Sequence, residues 1–159
     1  MKYTLCTIAI FLLVSCGKDK DNNQPQQPTK TELISKSSWK YESGGVDQDK
    51  NGTFDISFAT LGILQPCILD NTATFTANGS GTTDEGTTKC NPSVPQTSPF
   101  VWAFANSETA INISGSIIGL GGQFKILALT DTKLSLSKDT TITLIGPPTP
   151  VALIVNLQH

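Results

Sequence analysis

Residues 72–89, TATFTANGSGTTDEGTTK, decide the fold. Phe75 stands between Thr74 and Thr76, the two-residue alternation of a half-buried strand. The run breaks at Asn78-Gly79-Ser80-Gly81, where asparagine and glycine supply the backbone freedom of a tight hairpin. The following GTTDEGTTK reads as the polar return strand, with another turn at Glu85-Gly86. Two antiparallel strands are thus legible in eighteen residues, and the rest of the chain repeats the pattern.

Toward the C-terminus, Phe100, Trp102 and Phe104 share one face of a strand, and Ile111 and Ile113 alternate with Asn112 and Ser114. Phe124, Ile126 and Ala128 alternate with Lys125, Leu127 and Leu129, and Leu134, Leu136, Ile142 and Leu144 keep the same period. After the Gly146-Pro147-Pro148 break, Val151, Leu153, Val155 and Leu157 make the last strand. Toward the N-terminus, Thr31–Ser35 makes one helical turn before Trp39, and Ile56–Leu64 is ambiguous between helix and strand. The spacing therefore predicts an all-β domain of about eight to ten short antiparallel strands in an up-and-down meander. Such a meander loses its exposed edges by closing into a barrel; a two-sheet β-sandwich is the alternative that spacing leaves open.

Residues 1–16, MKYTLCTIAIFLLVSC, read differently. Lys2 precedes an apolar run from Ile8 to Val14 that is too short to span a bilayer, the form of a signal peptide. Leu13-Val14-Ser15-Cys16 looks like a bacterial lipobox, which implies cleavage after residue 15 and acylation of Cys16. Residues 16–30 contain no large apolar side chain beyond the cysteine and are dense in Asn, Gln, Pro and charge, the composition of a flexible tether. Residues 31–159 then form one domain. Gly17 after the cysteine leans toward the outer membrane, and Lys18-Asp19-Lys20-Asp21 loosely resembles the charged export tags of surface lipoproteins.

The formal net charge is −2, the pI is about 5.2, and arginine is absent. Without guanidinium forks a nucleic-acid partner is not expected. Of four cysteines, Cys6 leaves with the signal and Cys16 takes the lipid, so Cys67 and Cys90 remain to pair in an oxidising compartment. That disulfide closes a loop worth roughly 3 kcal/mol in chain entropy.

The order of landmarks resembles the lipocalin-like lipoproteins of Bacteroidetes. A lipobox and polar tether lead to a helical turn and a strand opening on tryptophan, here Ser37-Ser38-Trp39-Lys40. An Asp/Asn/Gly loop runs from Asp47 to Asp55; Cys67 precedes a strand of the form Asp70 to Phe75. Cys90 follows a Gly-rich hairpin, Trp102 centres a later strand, and Lys125 to Leu136 reads KILALTDTKLSL. The chain departs from lipocalins proper in having Ser37 where their Gly-x-Trp places glycine, and in lacking the arginine that packs over that tryptophan. The resemblance implies a lipocalin-like barrel of about eight strands on a lipid anchor.

Asp47-Gln48-Asp49-Lys50-Asn51-Gly52-Thr53-Phe54-Asp55 carries the one local motif with chemistry in it. Oxygens at Asp47, Asp49, Asn51 and Asp55, with glycine at position 6, match the first part of an EF-hand-type calcium loop. Phe58 replaces the bidentate glutamate of position 12, so Asp70 or water is needed to complete the shell. The competing reading is an Asx-rich turn whose side chains satisfy backbone donors. Trp39, Phe75, Trp102, Phe104 and Phe124, with Phe100, either line a ligand cavity or fill the barrel. Gly115, Gly119, Gly121 and Gly122 hint at openness nearby. Asp84-Glu85 reads as a solvated hairpin tip, the lone His159 as a frayed terminus, and Asp139-Thr140-Thr141 resembles a Bacteroidetes O-glycosylation acceptor.

No catalytic constellation emerges: one terminal histidine supplies neither a nucleophile's base nor a zinc ligand set. The sequence-based expectation is a non-enzymatic envelope lipoprotein, anchored to the outer membrane, that binds a small apolar ligand without a cofactor other than candidate calcium. The alternative is an adhesion module binding glycan or protein through loops, which expects Tyr41, Phe54 and Phe58 at the exterior.

Overall fold

The computed structural model describes residues 26–143 and 147–159. The lipobox, Cys16, most of the tether, and Leu144 and Gly146 lie outside the described residues. Among the described residues no helix is long and apolar enough to cross a membrane.

A five-residue helix, α1 (Lys30–Ile34), precedes nine strands. They are β1 (Trp39–Asp47), β2 (Ile56–Ser57), β3 (Thr72–Phe75), β4 (Ser80–Asp84), β5 (Thr97–Ala105), β6 (Ala110–Ile117), β7 (Leu120–Leu129), β8 (Lys133–Ile142) and β9 (Thr149–Gln158). Each of β3 to β8 pairs antiparallel with the next. β1 pairs with β3 on one edge and with β9 on the other, so the eight long strands close into a barrel and β2 is a short extra rung on β1. The sandwich alternative is excluded by this continuous ladder.

The decisive hairpin forms as read. Thr72–Phe75 pairs with Asp84–Gly81, turning through Asn78 and Gly79, whose φ is 86°. Gly81 has a second duty. A Cβ there would stand 2.2 Å from the ring of Phe100, its cross-strand partner, so glycine makes the floor on which that ring lies. Phe75 meets Phe100 and Trp102 edge-on, at centroid separations of 5.0 and 5.6 Å. Trp102 in turn meets Phe104 at 5.2 Å, and its indole N–H donates to the carbonyls of Ser80 (3.0 Å) and Thr76 (3.2 Å).

One end of the barrel is closed by α1. Thr29 and Glu32 form a reciprocal capping box, so the short helix has its first amides satisfied. Trp39 is fully buried beneath it and donates its indole N–H to the Ile34 carbonyl at 2.8 Å. His159, expected to fray, instead lies on Trp39 with ring centroids 3.8 Å apart, its Nδ1 3.1 Å from the Ser38 carbonyl. The imidazole covers the tryptophan in a chain that has no arginine to do so.

Two departures from a uniform ladder mark the β7–β8 seam, the first near the α1 end, where Lys36 pairs with Asp131 of the β7–β8 turn, and the second toward the other end. The β7–β8 register shifts between Ile126 and Ala128, a bulge that moves the inward phase from the expected Ala128 to Leu129, opposite Leu134. Beyond Lys125 and Ser137 the two strands separate, so Leu120–Phe124 pairs with β6 alone and Lys138–Ile142 with β9 alone. Lys138 spans this seam: its ammonium donates to the Gly121 carbonyl and stands 5.5 Å from the centre of the Phe124 ring.

Candidate functional site: an apolar pocket at the barrel mouth

The mouth opposite α1 is walled by the segment between β2 and β3. The two glycines of β1 explain how that segment comes so close. A Cβ on Gly44 would stand 2.8 Å from the Phe58 ring, and one on Gly45 only 2.2 Å from the Ile56 carbonyl. The ambiguous Ile56–Leu64 stretch thus becomes a two-residue strand and a turn packed directly onto β1.

Three devices fasten the far side of this wall to the β4–β5 loop. Cys67, in a 3-10 turn (Pro66–Ile68), is disulfide-bonded to Cys90 with Cα atoms 5.2 Å apart. Asp70 Oδ2 accepts from the Thr87 amide (2.8 Å), the Thr87 hydroxyl (2.7 Å) and the Thr88 amide (3.0 Å). The Thr87 hydroxyl foremost, with those amides, holds the Asp70 carboxyl below its ordinary range. Buried Asn71, with its amide nitrogen turned to the carbonyls of Cys67 (2.9 Å) and Glu85 (2.8 Å), completes the join. Next to it, Asp84 accepts from Gln96 and from the Gly86 amide, and these bonds, Gln96 first, lower its pKa.

Inside the wall lies an apolar pocket of about 220 Å³. Phe58, Leu64 and Ile68 bound it on one side, Leu153 and Val155 of β9 on another. Tyr41 adds the only polar side-chain atom among the lining residues. Burial raises the affinity of that phenol for its proton.

The β6–β7 turn closes the remaining side. It is a two-residue turn with both φ values positive, 45° at Ile118 and 81° at Gly119. Such turns fit the twist of a hairpin, but a β-branched residue at the first position is strained by about 1–2 kcal/mol. Ile118 holds that conformation while only 7% exposed, its side chain against the pocket. Burial against the recess offsets that local strain.

The aromatic residues foreseen as ligand contacts occupy a different place. Trp39, Phe75, Trp102 and Phe124 are at most 5% exposed and, with half-buried Phe104, fill the interior. None of the five lines the pocket. Its lining comes instead from Tyr41 of β1, from the segment between Phe58 and Ile68, from Ile118–Leu120 and from β9, of which the sequence reading ties only Gly119 to a cavity, as a hint of openness. Tyr41, Phe54 and Phe58 do not stand at the exterior: Phe58 is 8% exposed and the other two are half-buried.

The foreseen calcium ligands do converge. Asp47, Asp49 and Asp55 offer carboxylate oxygens within 4.8 Å of one another. Asp47, 1% exposed, accepts from the amides of Asn51 (3.2 Å) and Gly52 (2.9 Å), and Asp55 from that of Gln48 (2.7 Å). Asn51 accepts from the Thr53 amide at 2.8 Å. The aspartates thus meet the loop's own backbone donors, as an Asx-rich turn does, while their carboxylates converge as the calcium reading expects. Phe58 at position 12 is in the core, and Asp70 serves Thr87 and Thr88. The adjacent Lys50 pairs with Asp139 at 2.9 Å, tying this loop to β8.

No family model, curated protein or solved structure matches the chain. The barrel is consistent with a lipocalin-like fold on its strand number, topology and closure alone.

Proposed function

We propose that this protein is a lipid-anchored envelope lipoprotein of lipocalin-like type whose barrel binds a small apolar molecule without transforming it. The apolar pocket at the mouth, walled by a strained Ile118 turn and a disulfide-fastened segment, is the observation that carries the binding half of the reading. Its volume lies below the roughly 300 Å³ where drug-sized sites begin. An engineered apolar cavity of about 150 Å³ takes benzene, so the occupant is a compact molecule of one or two rings or a short alkyl chain. A binding role without catalysis fits the chemistry at hand: His159 lies against Trp39, and Asp47, Asp55 and Asp70 each accept from backbone amides.

The anchor rests on the LVSC sequence at residues 13–16 and the polar segment after it. Acylation of Cys16 holds the barrel on the outer membrane through the tether. Radiolabelled palmitate enters the wild-type chain and not Cys16→Ser; equal labelling of both contradicts the anchor. For binding, the chain from Gly17 to His159 holds every strand and every core side chain described above. Native mass spectrometry of this chain, purified without detergent, yields an apolar adduct or takes up added 2-acetylnaphthalene. A bare mass under both conditions contradicts a binding role.

A further inference from the structure

The pocket's lining carries more information than its size. We propose that it selects an uncharged molecule bearing a single hydrogen-bond acceptor, and that Tyr41 is the residue that recognises the acceptor. This inference rests on the pocket being a binding site at all.

Ten residues line the recess, and nine of them present hydrocarbon or, at Gly119, no side chain. Tyr41 is the exception. Among the described residues its hydroxyl enters no hydrogen bond, and burial alone perturbs its ionisation. A phenol is a better donor than acceptor, so its complement is a carbonyl or ether oxygen on the guest. Tyrosine is also suited to the place, since its ring adds apolar wall while its one polar atom gives orientation.

Charge is selected against by the same lining. A carboxylate taken into this recess leaves water without a cation to meet it, and an unpaired buried charge is costly. The lysine closest in register is Lys138, opposite Leu153 on β9. Its ammonium is turned to the Gly121 carbonyl and the Phe124 ring at the β7–β8 seam, and Lys138 does not line the pocket. No lysine is therefore placed to anchor a fatty-acid headgroup among the lining residues.

Three probes of one skeleton test this: naphthalene, 2-acetylnaphthalene and 2-naphthoate, titrated calorimetrically at pH 7 into the chain from Gly17 to His159 and into its Tyr41→Phe variant. The variant keeps the ring that packs and loses only the hydroxyl. In the wild type the ketone binds several-fold to tenfold tighter than naphthalene, as one hydrogen bond to a neutral group allows. The naphthoate binds at least tenfold more weakly than the ketone. In Tyr41→Phe the ketone falls to the affinity of naphthalene, whose own affinity is unchanged. Naphthoate binding as tightly as the ketone, or a ketone indifferent to Tyr41→Phe, overturns this inference and leaves the pocket standing. Failure of naphthalene and ketone alike to bind overturns both the inference and the binding function beneath it.

Discussion

The two ends of this barrel are made by the same strands and finished in opposite ways. At the α1 end, aromatic rings meet edge-on, both indole N–H groups are bonded to carbonyls, and the last residue of the chain stacks on the first tryptophan. At the mouth, strands part company, a loop substitutes for a ladder, and an isoleucine is kept in a conformation it disfavours. The closed end maximises close contact, which is how a small barrel becomes stable. The open end keeps a recess, and covalent and polar fasteners replace the contacts the recess forgoes. Close packing and the open recess are thus divided along the barrel axis.

Substitutions at the two ends test that division. Trp39→Ala removes a fully buried indole and its bond to Ile34, and is expected to cost about 3–5 kcal/mol in denaturant unfolding. Leu153→Ala, on the pocket, is expected to cost about 1–2 kcal/mol, below the usual range for a buried leucine because one side of it already faces open space. A reversed order of these two breaks the comparison. Between these two falls the Cys67→Ser/Cys90→Ser pair, expected to cost about 2–4 kcal/mol, with the bonds of Asp70 and Asn71 still joining the wall to the β4–β5 loop. Hydrogen exchange in this variant rises first at residues 58–71 and leaves β5 and β6 protected; uniform loss of protection contradicts a fastener confined to the mouth.

Ile118→Asn is subtler. Asparagine tolerates the left-handed conformation, so relief of strain offsets the lost burial, and stability changes by no more than about 1 kcal/mol. Affinity for 2-acetylnaphthalene falls several-fold, because the turn no longer presents hydrocarbon to the pocket. The smallest effect is one of pH. Asp70 has a folded pKa below its ordinary 3.8, so its contribution is complete above that value and is lost as pH falls through the depressed one. Proton-linked loosening of residues 58–71 therefore begins below pH 3.8 and is absent in Asp70→Asn; loosening that sets in near neutrality excludes Asp70 as its cause.

Much of the fold was legible because its signals are local. Asn78-Gly79 and the alternation around Phe75 announce a hairpin, and successive hairpins leave few topologies. The expectation that Cys6 leaves with a signal peptide and that Cys16 is acylated left Cys67 and Cys90 to pair, and the structure joins those two. The losses also have local causes. One bulge after Ile126 transfers the inward phase to Leu129, and alternation carries no mark of where a residue is inserted. The pocket was missed since its lining gathers from four separate segments. Its central turn places isoleucine where sequence rules expect asparagine or glycine. The aromatic residues were found without difficulty, but abundance of rings identifies a core as readily as a site. His159 was assigned to a loose end because a terminus has no pattern to read; here β9 carries it directly onto Trp39.

Chemical-shift mapping bears most directly on the division between a solid end and a receptive one. The chain from Gly17 to His159 is titrated with 2-acetylnaphthalene while its backbone amide and indole signals are followed. The account predicts shifts at Tyr41, Phe58, residues 63–68, Ile118–Leu120 and Leu153, with the indole signals of Trp39 and Trp102 unmoved. Movement of either indole signal, or saturation without change at the mouth, contradicts it.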